Sequence, residues 1–275
     1  MGRPQARNIV ESWAAALARR DYSASRDILS PGCSVLRNGV SHDRDSFIAG
    51  LQTAIGSSPG RVEIGLVIVD SRDSSNLAAR LIHHDEDSTG ASGRTLEHAF
   101  LWIDPSGKIV KMVTVTDDTA PKEVVEDKMS EPTVHREGRP DAGDLAGFYE
   151  EYIGTINSLT MKERLHEFCQ PTVTHNARRF SLDEYRLMIE SSFDEIRGLH
   201  FAIDDLFVDS ETGQIAARLG FTGRPAKEFR GIAPTGKDVR FSEHAYYRLE
   251  DGKIARVQSL LDLASYKRSL VDGDA

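Results

Sequence analysis

Ile215-Ala-Ala-Arg-Leu219 repeats Leu77-Ala-Ala-Arg-Leu81 at an offset of 138 residues. Val35-Leu-Arg-Asn38 aligns with Val173-Thr-His-Asn176 at the same offset. Glu97-His-Ala99 aligns with Glu243-His-Ala245 at an offset of 146, and Gly107-Lys-Ile109 with Gly252-Lys-Ile254 at 145. Short identities in one order and at nearly constant spacing mark an internal duplication. The one-residue change falls in a hairpin. The first copy turns through Asp104-Pro-Ser-Gly107, the second through the shorter Glu250-Asp-Gly252.

Working outward, each half has the same order of elements. Opening helices are expected at 6–20 and 144–158, second helices at 22–30 and 161–169, third helices at 43–55 and 181–197. Ser181-Leu-Asp-Glu184 has the capping-box spacing, and Leu182, Tyr185, Ile189, Phe193 and Ile196 follow at helical intervals. Strands follow at 61–70, 75–84, 94–104 and 108–117, then at 199–209, 213–222, 238–249 and 253–262. Helices followed by a meander make an α+β class. The expected architecture is two tandem cone-shaped domains, each a curved antiparallel sheet wrapped over three helices, with one open mouth suited to a small molecule. The boundaries are 1–118 and 144–275. Residues 119–143 hold Pro121, Pro132 and Pro140 and no aromatic residue, and they read as a linker with a short helix around Glu123–Met129.

The 275 residues suffice for two domains with cores of their own. A net charge of −9 and the lack of a basic stripe argue against nucleic-acid and anionic-membrane partners. No apolar run approaches the ~18 residues of a membrane span. The N-terminus has no apolar stretch after its charges, so it does not read as a signal peptide. The two cysteines, Cys33 and Cys169, fall one in each half and are poor disulfide partners, which fits a reducing, cytoplasmic setting. No zinc-type spacing occurs. His83-His84-Asp85-Glu86-Asp87 has metal-ligand chemistry, but neighbours on a strand point to opposite faces, so it reads as a polar loop entry.

The order Gly231-Ile-Ala-Pro-Thr-Gly-Lys237, strand Arg240–Leu249, hairpin Glu250–Ile254 and Arg256-Val-Gln-Ser-Leu-Leu-Asp262 resembles the end of the SnoaL-like polyketide cyclases, within the nuclear transport factor 2-like cone fold. The resemblance covers nearly all of 144–265. It implies that Val173-Thr-His175 is the strand ending in a cavity histidine and that Ile215-Ala-Ala-Arg-Leu219 with Phe221-Thr-Gly223 is the central strand. It also implies that Asp262 stands where an acidic catalytic residue often sits. The first half lacks the Pro-Thr-Gly-Lys turn and carries Arg37 where the second has His175. A degenerate, supportive first cone is therefore expected, with Asp117 opposite Asp262 in the repeat. Isolated cones of this kind often pair. A fused copy would then supply an intramolecular pseudo-dimer within one chain, with a homo-oligomer as a further option.

Alternation along strand 240–249 puts Phe241, Glu243, Ala245, Tyr247 and Leu249 on one face, and Arg240, Ser242, His244, Tyr246 and Arg248 on the other. The first face is the more apolar and is assigned to the cavity. Glu243 there would have a raised pKa and serve as acid or base, unless it is held by Arg218 on the neighbouring strand. A β-bulge would exchange the faces and bring His244 inside. His175 can take and return a proton. Asp262 interrupts the apolar run Leu260–Ala264 and either partners His175 or caps the turn that follows. Tyr149, Tyr152, Tyr185 and Tyr247 could donate to an enolate oxygen. Tyr152, Tyr185, Arg218 and Phe241 are the candidate substrate contacts. The expected function is acid–base catalysis without cofactor or metal: a cyclase, isomerase or dehydratase acting on a small apolar intermediate of secondary metabolism. A non-catalytic binding protein and a scaffold of the same fold are the alternatives.

Overall fold

Asp251 and Gly252 both have positive φ (47° and 77°), as the two central residues of a type I′ hairpin require. The equivalent first-half turn is held differently. Asp104 accepts bonds from the Ser106 and Lys108 backbone N–H groups, and only Gly107 (φ 84°) is left-handed. The two hairpins join corresponding strands of two sheets. The computed structural model describes residues 2–55, 60–86, 92–117 and 142–272. The chain divides into two compact units, Met1–Glu131 and Pro132–Ala275. All but the last two residues of the expected linker, and the helix expected at Glu123–Met129, lie outside the described residues.

The first unit runs α1 (Arg3–Arg19), α2 (Tyr22–Ile28), β1 (Leu29–Arg37), β2 (Val40–Asp43), α3 (Arg44–Ile55), β3 (Arg61–Val69), β4 (Asn76–Glu86), β5 (Ser92–Ile103) and β6 (Ile109–Asp117). The second runs α4 (Ala142–Asn157), α5 (Met161–Phe168), β7 (Cys169–His175), β8 (Arg178–Ser181), α6 (Leu182–Glu195), β9 (Ile196–Asp209), β10 (Gln214–Pro225), β11 (Val239–Glu250), β12 (Lys253–Leu261) and α7 (Leu263–Asp272). The strand orders correspond one to one: β2-β1-β6-β5-β4-β3 and β8-β7-β12-β11-β10-β9. Four strands of each sheet form the expected antiparallel meander. The fifth, β1 or β7, joins it in parallel and turns back into a four-residue strand.

Local chemistry sets these elements. Pro4 sits in the first turn of α1, where no intrahelical N–H is lost. Asp21 caps α2 by accepting from the Ala24 N–H. Ser181 and Glu184 form the full capping box of α6, and Tyr185 and Ile189 bury its inner face. The third strand of each unit bulges at the same place, between Ile64 and Leu66 and between Ile203 and Asp205. A bulge bends its strand and adds twist. In the first unit the bulged residue is Gly65, where a Cβ would lie 2.7 Å from the Arg80 guanidinium. Each sheet packs its inner face on the helices of its own unit, around Trp13, Leu17 and Leu81 in the first and Tyr149, Leu165 and Leu219 in the second.

One Asn clasp recurs. Asn38 and Asn176 both adopt φ near 45° at the end of the parallel strand. The Asn38 side chain bridges the N–H and hydroxyl of Thr116 on β6, and that of Asn176 bridges the N–H and hydroxyl of Ser259 on β12. Both cysteines are buried and free, and burial pushes their thiols up to about 11 (Cys33) and about 12 (Cys169). His83 and His84 belong to β4 itself rather than to a loop entry. The strand runs to Glu86, and His83 is buried against Glu97. Adjacent histidines gave no helical or turn signal, and the pairing partner that holds the strand is on β5. Among the described residues no group of three or more His, Cys, Asp or Glu side chains could hold a metal ion, and no helix is long and apolar enough to cross a membrane.

Candidate active site

The second unit encloses a cavity of about 380 Å³ between α4, α6 and the sheet. That is the size range of small-molecule pockets. Its walls present polar and apolar surface in nearly equal measure. Phe201, Phe221 and Phe241 stack edge to face along one side, with ring centroids 4.7 and 5.1 Å apart. Tyr152 of α4, Tyr185 of α6 and Tyr247 of β11 line another.

The β10–β11 ladder runs without a break from Gln214↔Arg248 to Gly223↔Val239. No bulge interrupts β11 there, so its alternation holds. Phe241, Glu243 and Tyr247 face the cavity. His244 is fully buried on the opposite face and does not line the cavity, because the bulges fall on β9 and near Arg248 rather than between 240 and 247. Arg218 pairs in register with His244 and shares that outward face. Its guanidinium bonds Asp205 at 2.5 Å and Asp204 at 2.8 Å, so it contacts neither Glu243 nor the cavity.

His175 ends β7 and lines the cavity. The Asn176 clasp ties the same strand end to Ser259, and so sets the histidine against β12. His175 Nε2 lies 3.3 Å from the Ser259 hydroxyl. The same hydroxyl is near enough to Glu243 to hold its pKa down against burial. An imidazole, a hydroxyl and a carboxyl thus share one pocket. Burial lowers the His175 pKa to about 4, helped by the positive charge of Arg230, so the ring is neutral near pH 7. Burial raises the Glu243 pKa, with the Ser259 bond and Arg230 acting against it. Both groups are driven toward their neutral forms.

The tyrosines form two hydrogen-bonded pairs. Tyr149 donates to Tyr247 at 3.1 Å, and the Tyr152 and Tyr185 hydroxyls lie 3.1 Å apart. Burial raises all four pKa values, so they stay protonated donors. Tyr149 itself is not a wall residue. Tyr247, which accepts its bond, keeps its own proton to offer.

Asp262 does not reach the cavity. It is buried at the start of α7, where its carboxylate accepts bonds from the Ser265 N–H at 2.9 Å and the Ser265 hydroxyl. That is an N-cap, and it accounts for a charge in an apolar run. Its repeat counterpart Asp117 ends β6. Ser191, Ser192, Glu195, Arg230 and Ser259 are polar cavity residues that sequence reasoning missed. Ser259 is a lone hydroxyl in the strand 253–261, with nothing to set it apart. Arg230 lies in the loop between β10 and β11 at a left-handed φ of 52°, beside the Phe229↔Ile232 bridge that directs it to the cavity rim.

A profile of the SnoaL-like polyketide cyclase family matches residues 143–270. Among solved structures, a SnoaL-like polyketide cyclase from Agrobacterium tumefaciens is 35% identical. The match covers 46% of this chain and 97% of that one, with a TM-score of 0.44. TsrD from Streptomyces laurentii is 22% identical over 48% of this chain and 98% of its own, with a TM-score of 0.43. IdmH from Streptomyces antibioticus is 16% identical over 46% and 97%, with a TM-score of 0.40. No curated protein sequence matches the chain. The order of helices and strands in the second unit, the histidine at the end of β7 and the match over 143–270 agree, and the chain belongs to the SnoaL-like polyketide cyclase family.

Proposed function

We propose that the second unit is a cofactor-independent acid–base enzyme, a cyclase, isomerase or dehydratase, acting on a small, largely apolar carbonyl intermediate of secondary metabolism. The observation that carries this reading is that His175, Ser259 and Glu243 line one cavity, with the Ser259 hydroxyl 3.3 Å from His175 Nε2. Neutral His175 takes a proton from carbon next to the substrate carbonyl. Protonated Glu243 gives its proton to the oxygen that gains charge or leaves, and Tyr247 donates a hydrogen bond to the same oxygen. The Ser259 hydroxyl then passes a proton from the imidazolium back to the carboxylate, which restores both groups. No electrons are gained or lost, as cyclisation, isomerisation and dehydration all require. Arg230 at the rim supports the hold on a substrate carbonyl or carboxylate.

The test is exchange of the α-protons of an aryl β-diketone in deuterium oxide, followed by proton NMR. Exchange above the buffer rate, lost on His175→Ala with the fold intact, supports the reading. Exchange that is absent, or unchanged by both His175→Ala and Glu243→Gln, overturns it.

A further inference from the structure

The inner face of the first sheet collects the same four functional groups as the second cavity, in a different arrangement. Leu81 pairs with Glu97 and Ala99 with Thr114, as Leu219 pairs with Glu243 and Ala245 with Ser259. Glu97 and Glu243 therefore hold one sheet position, and Thr114 and Ser259 another. The second unit adds His175 at the end of its parallel strand and Arg230 from a loop. The first unit has the guanidinium of Arg37 at that strand end instead, and its imidazole, His83, on β4.

His83 Nε2 lies 2.6 Å from Glu97 Oε2, and the Thr114 hydroxyl donates to Glu97 Oε1 at 2.6 Å. All three side chains are buried. Burial works to raise the Glu97 pKa, but the His83 bond and charge and the nearby Arg37 hold it down to about 2. The other ring nitrogen, His83 Nδ1, is buried with no hydrogen-bond partner among the described residues. An orphaned buried nitrogen is destabilising. A pair kept for stability alone has no use for it, since apolar residues of similar volume do as well or better. A carboxylate that fixes one imidazole nitrogen and leaves the other with its lone pair is the arrangement of a general base.

We propose that the first unit carries a second proton-transfer site, in which His83 is the base, Glu97 positions it, and Arg37 faces the oxyanion of a small carbonyl or hydroxyl compound. His83 Nδ1 takes a proton from a C–H or O–H group of the substrate while the Nε2 proton stays on the bond to Glu97. The electron pair left behind is drawn into the substrate oxygen, and the proton is returned to another atom of the same molecule. The step is redox-neutral and needs no co-reactant.

A nitrobenzisoxazole tests this with the full chain. A base removes its ring C–H proton, the electron pair forms the nitrile, the N–O bond breaks, and a coloured cyanonitrophenolate is released. In a chain carrying His175→Gln and Glu243→Gln, Glu195 still lines the second cavity, so the part of the elimination that is lost with His83 reports on the first unit. Elimination faster than an equal concentration of free imidazole is expected. Adding His83→Gln should remove about 10²-fold of it. Glu97→Gln, which keeps the shape of the side chain, should slow it and shift the His83 ring-nitrogen NMR signals without a change in melting temperature. The proposal is overturned if the double variant is no faster than free imidazole, or if elimination is the same with and without His83. It is also overturned if the His83 signals ignore Glu97→Gln. None of these outcomes depends on whether the second unit exchanges diketone protons.

Discussion

The two units share strand order, bulge position and Asn clasp, and differ in the distance between histidine and carboxyl. In the first, imidazole and carboxylate touch at 2.6 Å, and Glu97 is ionised down to about pH 2. In the second, a serine hydroxyl separates them across a cavity, and burial drives His175 down to about 4 and Glu243 upward. A bonded imidazole and the nearby Arg37 offset the cost of desolvating Glu97, whereas burial prevails at His175 and Glu243. The two units therefore show two patterns: a carboxylate held ionised beside a histidine, and a carboxyl and an imidazole both driven toward their neutral forms. The parallel strand also differs in register: Arg37 pairs with Thr114, whereas His175 pairs with Val257, two residues before Ser259, the counterpart of Thr114. The histidine sits on that strand in the second unit and on β4 in the first.

The largest effect that could break this comparison is kinetic. His175→Ala should lower diketone exchange by about 10²–10⁴-fold, the range for a lost general acid–base. The His175→Ala, Glu243→Gln pair should be little worse than the worse single variant, because groups joined through Ser259 act as a unit. Additive losses would mean that the two do not share a proton path.

Stability should reverse the ranking. Glu97→Ala strands a buried histidine and should cost the chain about 3–5 kcal/mol, read as a denaturant midpoint. Glu243→Gln replaces a carboxyl whose charge burial disfavours with a near-isostere, and should leave the midpoint almost unmoved. The Glu97 contribution also has a defined pH window. Its folded pKa lies below the unfolded value of 4.5, so its stabilisation is complete above that value and fades as pH falls toward 2. Glu97→Gln should lack that fading when compared with the parent across the same range.

The activity of the second unit should depend on pH with two limbs. Exchange rises as pH climbs through about 4, where His175 loses its proton, and falls again where Glu243 ionises above its ordinary range. In Glu243→Gln the alkaline limb should disappear while the acid limb stays. An alkaline limb that persists would assign it to another group.

Much of the fold was legible because duplication places its own landmarks. The offsets around Gly-Lys-Ile and Glu-His-Ala fixed the meander in both halves, and Ser181-Leu-Asp-Glu184 fixed the start of α6. The short strands β2 and β8 were not visible, since Val40–Asp43 and Arg178–Ser181 are too short and polar to alternate clearly. The inward position of Glu243 followed from alternation, which survives only because β11 has no bulge between 239 and 247. Ser259 and Arg230 could not be found the same way. A hydroxyl on a strand and an arginine in a loop acquire a role only from what the fold brings beside them. His83 was discounted for being next to His84, a sound reason against chelation that says nothing about a partner fourteen residues away on the next strand.

The smallest expected effect concerns Asp262, where sequence could not separate a catalytic acid from a cap. An N-cap aspartate is followed three residues later by a residue whose backbone N–H it receives, and Ser265 fills that place. The second unit has this helix after its last meander strand, and no counterpart exists among the described residues of the first. Asp262→Ala should therefore cost about 1 kcal/mol, the usual worth of a cap, and shift only the melting of the second unit. Asp262→Asn retains an oxygen acceptor and should cost less. Diketone exchange should remain within a few-fold of the parent in both, because the carboxylate is engaged by Ser265 and does not line the cavity. A hundredfold fall in exchange for Asp262→Asn at an unchanged melting temperature would return Asp262 to the proton path. The link through Ser259 would then be only one of two routes from His175.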